Sequence, residues 1–160
     1  MTLQSQFEQQ LTRLGNGGAA TVAAEDQPRK LSCNLLERNA LAVTFENLRL
    51  ATIELAAAST ADLERIGKSL AGRLTYLMEP ISPIEVDAAG CVVQLRSNPP
   101  QRDDDGRTYF ELLVRRGGEI ALARYRKENG AARRQIPATV TREVLLRLAG
   151  DFCAVLDTVK

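Results

Sequence analysis

The chain contains no histidine and no tryptophan, and its aromatic residues are four Phe and three Tyr. Without histidine, a Ser-His-Asp triad, a Cys-His pair, a His-ligated zinc and an imidazole proton shuttle are all excluded within these 160 residues. An excess of charge of one sign is also lacking. Lys and Arg number 21 against 20 Asp and Glu, so no global field directs the molecule to nucleic acid or to a membrane surface. Cysteine is sparse: Cys33, Cys91 and Cys153 are odd in number, widely spaced and free of any Cys-x-x-Cys pair. That pattern argues against a disulfide framework or a thiolate metal knot, and the apolar periodic setting of each cysteine reads as a small buried thiol. Long apolar runs are missing too, since the best stretch, residues 48–58, is interrupted by Arg49 and Glu54. Residues 1–10 are polar and Gln-rich, with neither a basic nor an apolar leader segment, so no secretory signal is expected. The expectation is a cytoplasmic protein that does not enter membranes.

What is present is periodicity. Leu3, Phe7, Leu11 and Leu14 recur at helical spacing and predict a short amphipathic helix over residues 3–14. A helix of about 12 residues is marginal by itself in water, so it has to dock. Residues 15–30, with Gly15, Gly17 and Gly18 and no sustained period, read as a linker. The division expected is therefore an arm over residues 1–30 and one folded domain over 31–160.

Within that domain, Leu31, Cys33 and Leu35, then Leu41, Val43 and Phe45, alternate as short strands, with Asn39 and Glu46-Asn47 as turn positions. A third strand is expected over 48–55. Ser59-Thr60 opens a helix whose stripe is Leu63, Ile66, Leu70, Leu74, Leu77 and Met78, and Pro80 and Pro83 stop it. Strands follow over 84–87 and 91–96, then a polar loop over 98–106. Residues 109–116 and 119–127 form a hairpin about Gly117-Gly118. Val140, Val144, Leu148, Phe152, Val155 and Val159 give a closing helix. The fold class read from this order is α+β: an antiparallel meander of six to seven strands with two long helices on one face, plus the short N-terminal helix.

The motifs resolve to structural roles. Gly67-Lys68-Ser69 lacks the upstream glycine of a phosphate loop, and helical period runs straight through it. Asp103-Asp104-Asp105-Gly106 lacks the alternating ligand spacing of a calcium loop and reads as a solvated turn. No spacing singles out a pair among Glu85, Asp87 and Glu111 for acid–base work. No catalytic residue, metal ligand or cofactor site is therefore assigned. Residues 107–134 hold eight basic residues against three acidic ones. Arg115, Arg124, Arg126, Arg133 and Arg134 are accordingly candidate anion-binding residues for an acidic ligand or nucleic acid.

A two-residue hairpin loop places Arg116 opposite Glu119. One face then pairs Val114 with Ala121, Leu112 with Ala123 and Phe110 with Tyr125, as core. The other pairs Leu113 with Leu122 and Arg115 with Ile120, leaving an apolar cluster on the side away from the helices. Leu113, Ile120 and Leu122, with Leu3, Phe7 and Leu11 of the arm, are the candidate interface. Either the arm folds onto that face or two copies pack sheet to sheet. The order helix–three strands–helix–strands–helix resembles that of type III secretion chaperones, small homodimers that hold unfolded client segments. The resemblance is one of element order and implies a protein-binding role. The expected function is thus a non-catalytic, homodimeric protein-interaction domain. The alternatives are binding of an anionic ligand or nucleic acid by the basic hairpin, and a small enzyme with a cleft between the long helix and the meander.

Overall fold

The computed structural model describes residues 1–158, so Val159, expected on the last helical stripe, lies outside the described residues. In chain order the elements are α1 (Leu3–Leu14), β1 (Ala20–Asp26), β2 (Arg29–Arg38), β3 (Ala42–Thr52), α2 (Thr60–Arg73), β4 (Ile81–Asp87) and β5 (Val92–Ser97). They continue with β6 (Gln101–Arg102), β7 (Gly106–Arg115), β8 (Glu119–Glu128), β9 (Arg134–Ile136), β10 (Ala138–Thr141) and α3 (Arg142–Asp157). The ten strands form one antiparallel sheet whose main path is β1-β2-β3-β8-β7-β5-β4. The α+β class is as expected. The additional strands are β1, within the expected linker, and the short β6, β9 and β10. No described helix is long and apolar enough to cross a membrane.

The linker expectation fails first. Residues 20–26 lie fully paired along β2, with Val22 opposite Cys33 and Ala24 opposite Leu31. Their alternation is carried by Val and Ala, which are too small to register as a period, yet Val22 and Ala24 are buried. The arm is no longer detached. Leu3, Phe7 and Leu11 pack against β1 and α3 in the same core as the rest of the chain. Arg38 holds the helix end, donating to the carbonyl oxygens of Leu14, Gly15 and Gly18. These three residues are thus spent within the chain, on the helix-covered side of the sheet rather than its bare side.

The hairpin register is also corrected. Arg115, not Arg116, stands opposite Glu119, and the loop is three residues long. Gly118 sits at φ +105, where a Cβ would lie 2.7 Å from the Thr52 carbonyl oxygen. Slipping a strand by one residue turns its side chains over. Val114 now pairs with Ile120 and Leu112 with Leu122, all four fully buried, while Leu113 faces Ala121 outward. Collecting four branched side chains on one face, instead of two on each, gains about 1.5–3 kcal/mol for each one moved out of water. Ile120 and Leu122 are therefore core, and only Leu113 of the expected trio stays on the bare face.

Glu46-Asn47 is not a turn. β3 runs through it with an irregular step that lets Phe45 and Leu48, three residues apart, both point inward. At the same place the sheet divides. β3 pairs with β8 over residues 47–51 and 119–123, and beyond that the two strands part. β9 runs in along β8, the chain reverses at Pro137, and β10 runs out along β3. Gln135 Nε2 donates to the Glu46 carbonyl at 2.8 Å and closes the apex of this wedge.

The helices form one layer, with α3 contacting both α1 and α2. α2 begins with a reciprocal cap: Ser59 accepts from the Asp62 amide and Asp62 accepts from the Ser59 amide, each at 3.1 Å. Gly67 brings it close to β5, because a Cβ there would stand 2.9 Å from a Leu95 methyl carbon. That contact accounts for a glycine at position 67. Thr141 ends β10 and caps α3 by accepting from Val144 N at 3.0 Å.

Candidate functional site

The basic hairpin comes first, because its charge suggested a ligand. Each of its five candidate arginines faces a carboxylate of the chain itself. Arg115 is 3.6 Å from Glu119, Arg124 is 3.0 Å from Glu79, and Arg134 is 3.2 Å from Glu128. Arg126 donates through both terminal nitrogens to Asp103, at 2.9 and 3.1 Å. Arg133 is paired with Glu111. Three of these carboxylates, Glu111, Glu119 and Glu128, belong to the basic segment itself, and two come from outside it: Asp103 from the 98–106 loop and Glu79 from the stretch between α2 and β4. Asp103 also accepts from the amides of Asp105 and Gly106, each at 2.9 Å. The Arg126 guanidinium first, and those two amides after it, lower its carboxyl to about 2. The triple-aspartate turn is thus organised around Asp103 and an arginine, and among the described residues no cluster suits a metal ion.

The bare side of the sheet holds a shallow tray of about 250 Å³ floored by Ala121, Ala123 and Leu113. At one end Glu111 is buried, accepting from Gln94 at 2.9 Å and from Arg133. Arg133 lies 4.1 Å over the Tyr125 ring, Tyr125 stacks on Tyr109 at 6.1 Å, and Arg96 lies 4.9 Å from the Tyr109 centroid. This ladder straps the segment before β9 onto the sheet. It brings together Arg133, Glu111 and the two tyrosines near the basic cluster, but separates them from Arg124, which points to the other face.

On the helix side two depressions meet at Glu79. The first, about 570 Å³, is an apolar groove between the end of α2 and the edge strand β4, lined by Ala71, Leu74, Met78, Pro80, Ile81 and Pro83, with Lys68 at its rim. Met78 stands at its lip in a left-handed conformation, φ +63, and is 85% exposed. Val86, opposite Val93 on the same side of β4, and Ile84, at the irregular step after Pro83, extend the apolar surface. Of the six exposed large hydrophobic residues among the described residues, these three fall within residues 78–86, so apolar exposure is concentrated rather than scattered. The second depression, about 450 Å³, occupies the fork of the sheet between α3, β10 and Tyr76-Leu77. On its floor Arg124 pairs with Glu79, donates to Thr108 Oγ1 at 2.9 Å and lies 4.5 Å over the Phe110 ring.

Sequence reading missed both. Met78 was placed on the helical stripe, but α2 ends at Arg73 and Met78 follows a separate short turn. No local pattern marks Glu79, whose partner Arg124 lies 45 residues further along the chain. No family model matches this chain, and comparison with curated proteins and with solved structures returns no match.

Proposed function

We propose that the chain is a non-catalytic protein-interaction domain that works as a homodimer, joined through the groove between α2 and β4. The observation that carries this reading is the projecting Met78 beside an apolar groove of its own surface. A two-fold interface uses the same patch on both copies, so it needs a knob and a hole on one face, and Met78 and the groove supply them. Lys68 stands at the rim of the groove, while Glu85 and Asp87, exposed on β4 opposite Gln94 and Val92, lie on the other side of that strand. The contact is one of side chains rather than a continued sheet, because Pro83, the irregular step after it and the two acids blunt the β4 edge.

The test is mass in solution by sedimentation or light scattering. The unaltered chain is expected at twice its 17.5 kDa mass, and Met78→Glu with Ile84→Glu at the single-chain mass with an unchanged circular dichroism spectrum. A monomer at 100 μM for the unaltered chain, or a dimer that survives both charges, refutes the reading.

A further inference from the structure

Two asparagines of the chain are followed by glycine, Asn16-Gly17 and Asn129-Gly130. Glycine has no side chain to shield its backbone nitrogen, so in such a pair that nitrogen can attack the amide carbon of the asparagine side chain. Both pairs are exposed, and exposure does not rank them. Their hydrogen bonds do. Gly17 N donates to the Arg38 carbonyl at 2.9 Å, and Arg38 N donates back to Gly17 O at the same distance. The Arg38 guanidinium lies against the glycine, 3.0 Å from where a Cβ would stand, while it holds the carbonyl oxygens of Leu14, Gly15 and Gly18. Arg142 reaches the same turn, donating to Gly15 O at 2.8 Å and to Asn16 Oδ1 at 3.5 Å. Attack by Gly17 N requires that its bridge to Arg38 open first.

Asn129-Gly130 is the tip of the connection from β8 to β9, where Ala131 N donates to Glu128 O at 3.1 Å and closes a turn. The peptide inside that turn, Asn129 O and Gly130 N, makes no hydrogen bond among the described residues. Gly130 sits at φ +78, and nothing stands within 4 Å of the position its Cβ would take. The peptide can therefore rotate toward the Asn129 side chain without breaking a bond of its own. We infer that Asn129 is a deamidation site, with water as the co-reactant, and that the native fold spares Asn16. Gly130 N gives up its proton and bonds to Asn129 Cγ, the Cγ–Nδ2 bond breaks, and ammonia leaves. Water then adds to either carbonyl of the five-membered imide, leaving aspartate or isoaspartate at position 129. The product matters to the fold because Asn129 ties two turns together, its N donating to Asp105 O at 2.9 Å and its Nδ2 to Asp104 O at 3.3 Å. Conversion removes the second donor and sets a new carboxylate beside the aspartates of the 103–105 turn, where like charges repel.

The experiment incubates the full chain at pH 8 and 37 °C, native and in guanidinium chloride, and reads the deamidated fraction by mass spectrometry after trypsin. Cleavage at Arg and Lys places the two sites on separate peptides, residues 14–29 and 128–133. In denaturant the two asparagines should react at similar rates. In the native chain Asn129 should react at least about tenfold faster than Asn16, the scale set by opening the two Gly17–Arg38 bonds. Asn129→Asp, made directly, should speed hydrogen exchange at the backbone amide of position 129, which is the tie to Asp105. Equal rates in the native chain, faster reaction at Asn16, or an unreacted Asn129 after the denatured sample has converted overturns the site. Unchanged exchange in the Asn129→Asp chain overturns the loosening of the two turns.

Discussion

Leu122→Ala and Leu113→Ala form a paired test of the β7–β8 register. Leu122 is fully buried opposite Leu112 at the centre of the sheet, beneath the helical layer. Removing its three outer carbons leaves a cavity in a packed core, and such truncations cost about 2–5 kcal/mol. For a chain of this size that lowers the thermal midpoint by roughly 2–4 °C per kcal/mol. Leu113 faces Ala121 on the bare side, half-buried in the shallow tray, and its truncation should cost about 1 kcal/mol or less. The assay is urea unfolding of the two variants and the parent, followed by tryptophan-independent circular dichroism because the chain has no Trp. The midpoints should separate widely while the slopes agree. With Arg116 opposite Glu119 instead, Leu113 and Leu122 would share a face and fail together. Equal losses, or a larger loss at Leu113, would refute the three-residue loop and the core built on it.

Two further outcomes follow from groups that titrate. Asp103 is lowered by Arg126 and the turn amides, so its bond to Arg126 is intact above the ordinary carboxylate range and is lost as pH falls through about 2. A carboxyl carbon NMR titration should place its midpoint there, and Arg126→Ala should return it toward the ordinary value near 4. Burial raises the Cys33 thiol, and burial, opposed in part by Arg29, raises Cys153 to about 11. With Cys91 also buried, a thiol-specific reagent at pH 8 should label the native chain slowly and the urea-unfolded chain at all three positions. Rapid labelling of Cys33 in the native state would contradict its burial.

The long apolar stripes of α2 and α3 and the alternation in β2, β5 and β7 were readable because each is longer than the ambiguity of its ends. β1 was not, since Ala and Val at its inward positions contrast weakly with the Thr and Ala between them. The hairpin was found but slipped by one, because Arg116 and Arg115 are chemically identical partners for Glu119 and only burial distinguishes them. Basic charge was visible and its neutralisation was not. Glu79 reaches Arg124 across 45 residues, and Asp103 reaches Arg126 across 23, through contacts that no local pattern encodes. The Met78 groove was hidden for a related reason. A helical period continued through Leu74 and Leu77 conceals the break that frees Met78 from the core.

The wedge leaves no slack between sheet and helix. Thr141 is at once the last residue of β10 and the cap of α3, so the pairing that seats one end fixes the rotational phase of the other. One extra residue at that junction would turn α3 by about 100°, swinging Leu145, Leu148 and Phe152 away from the layer they fill. The stretch from Pro137 to Arg142 must therefore keep its residue count for the middle helix to find its place.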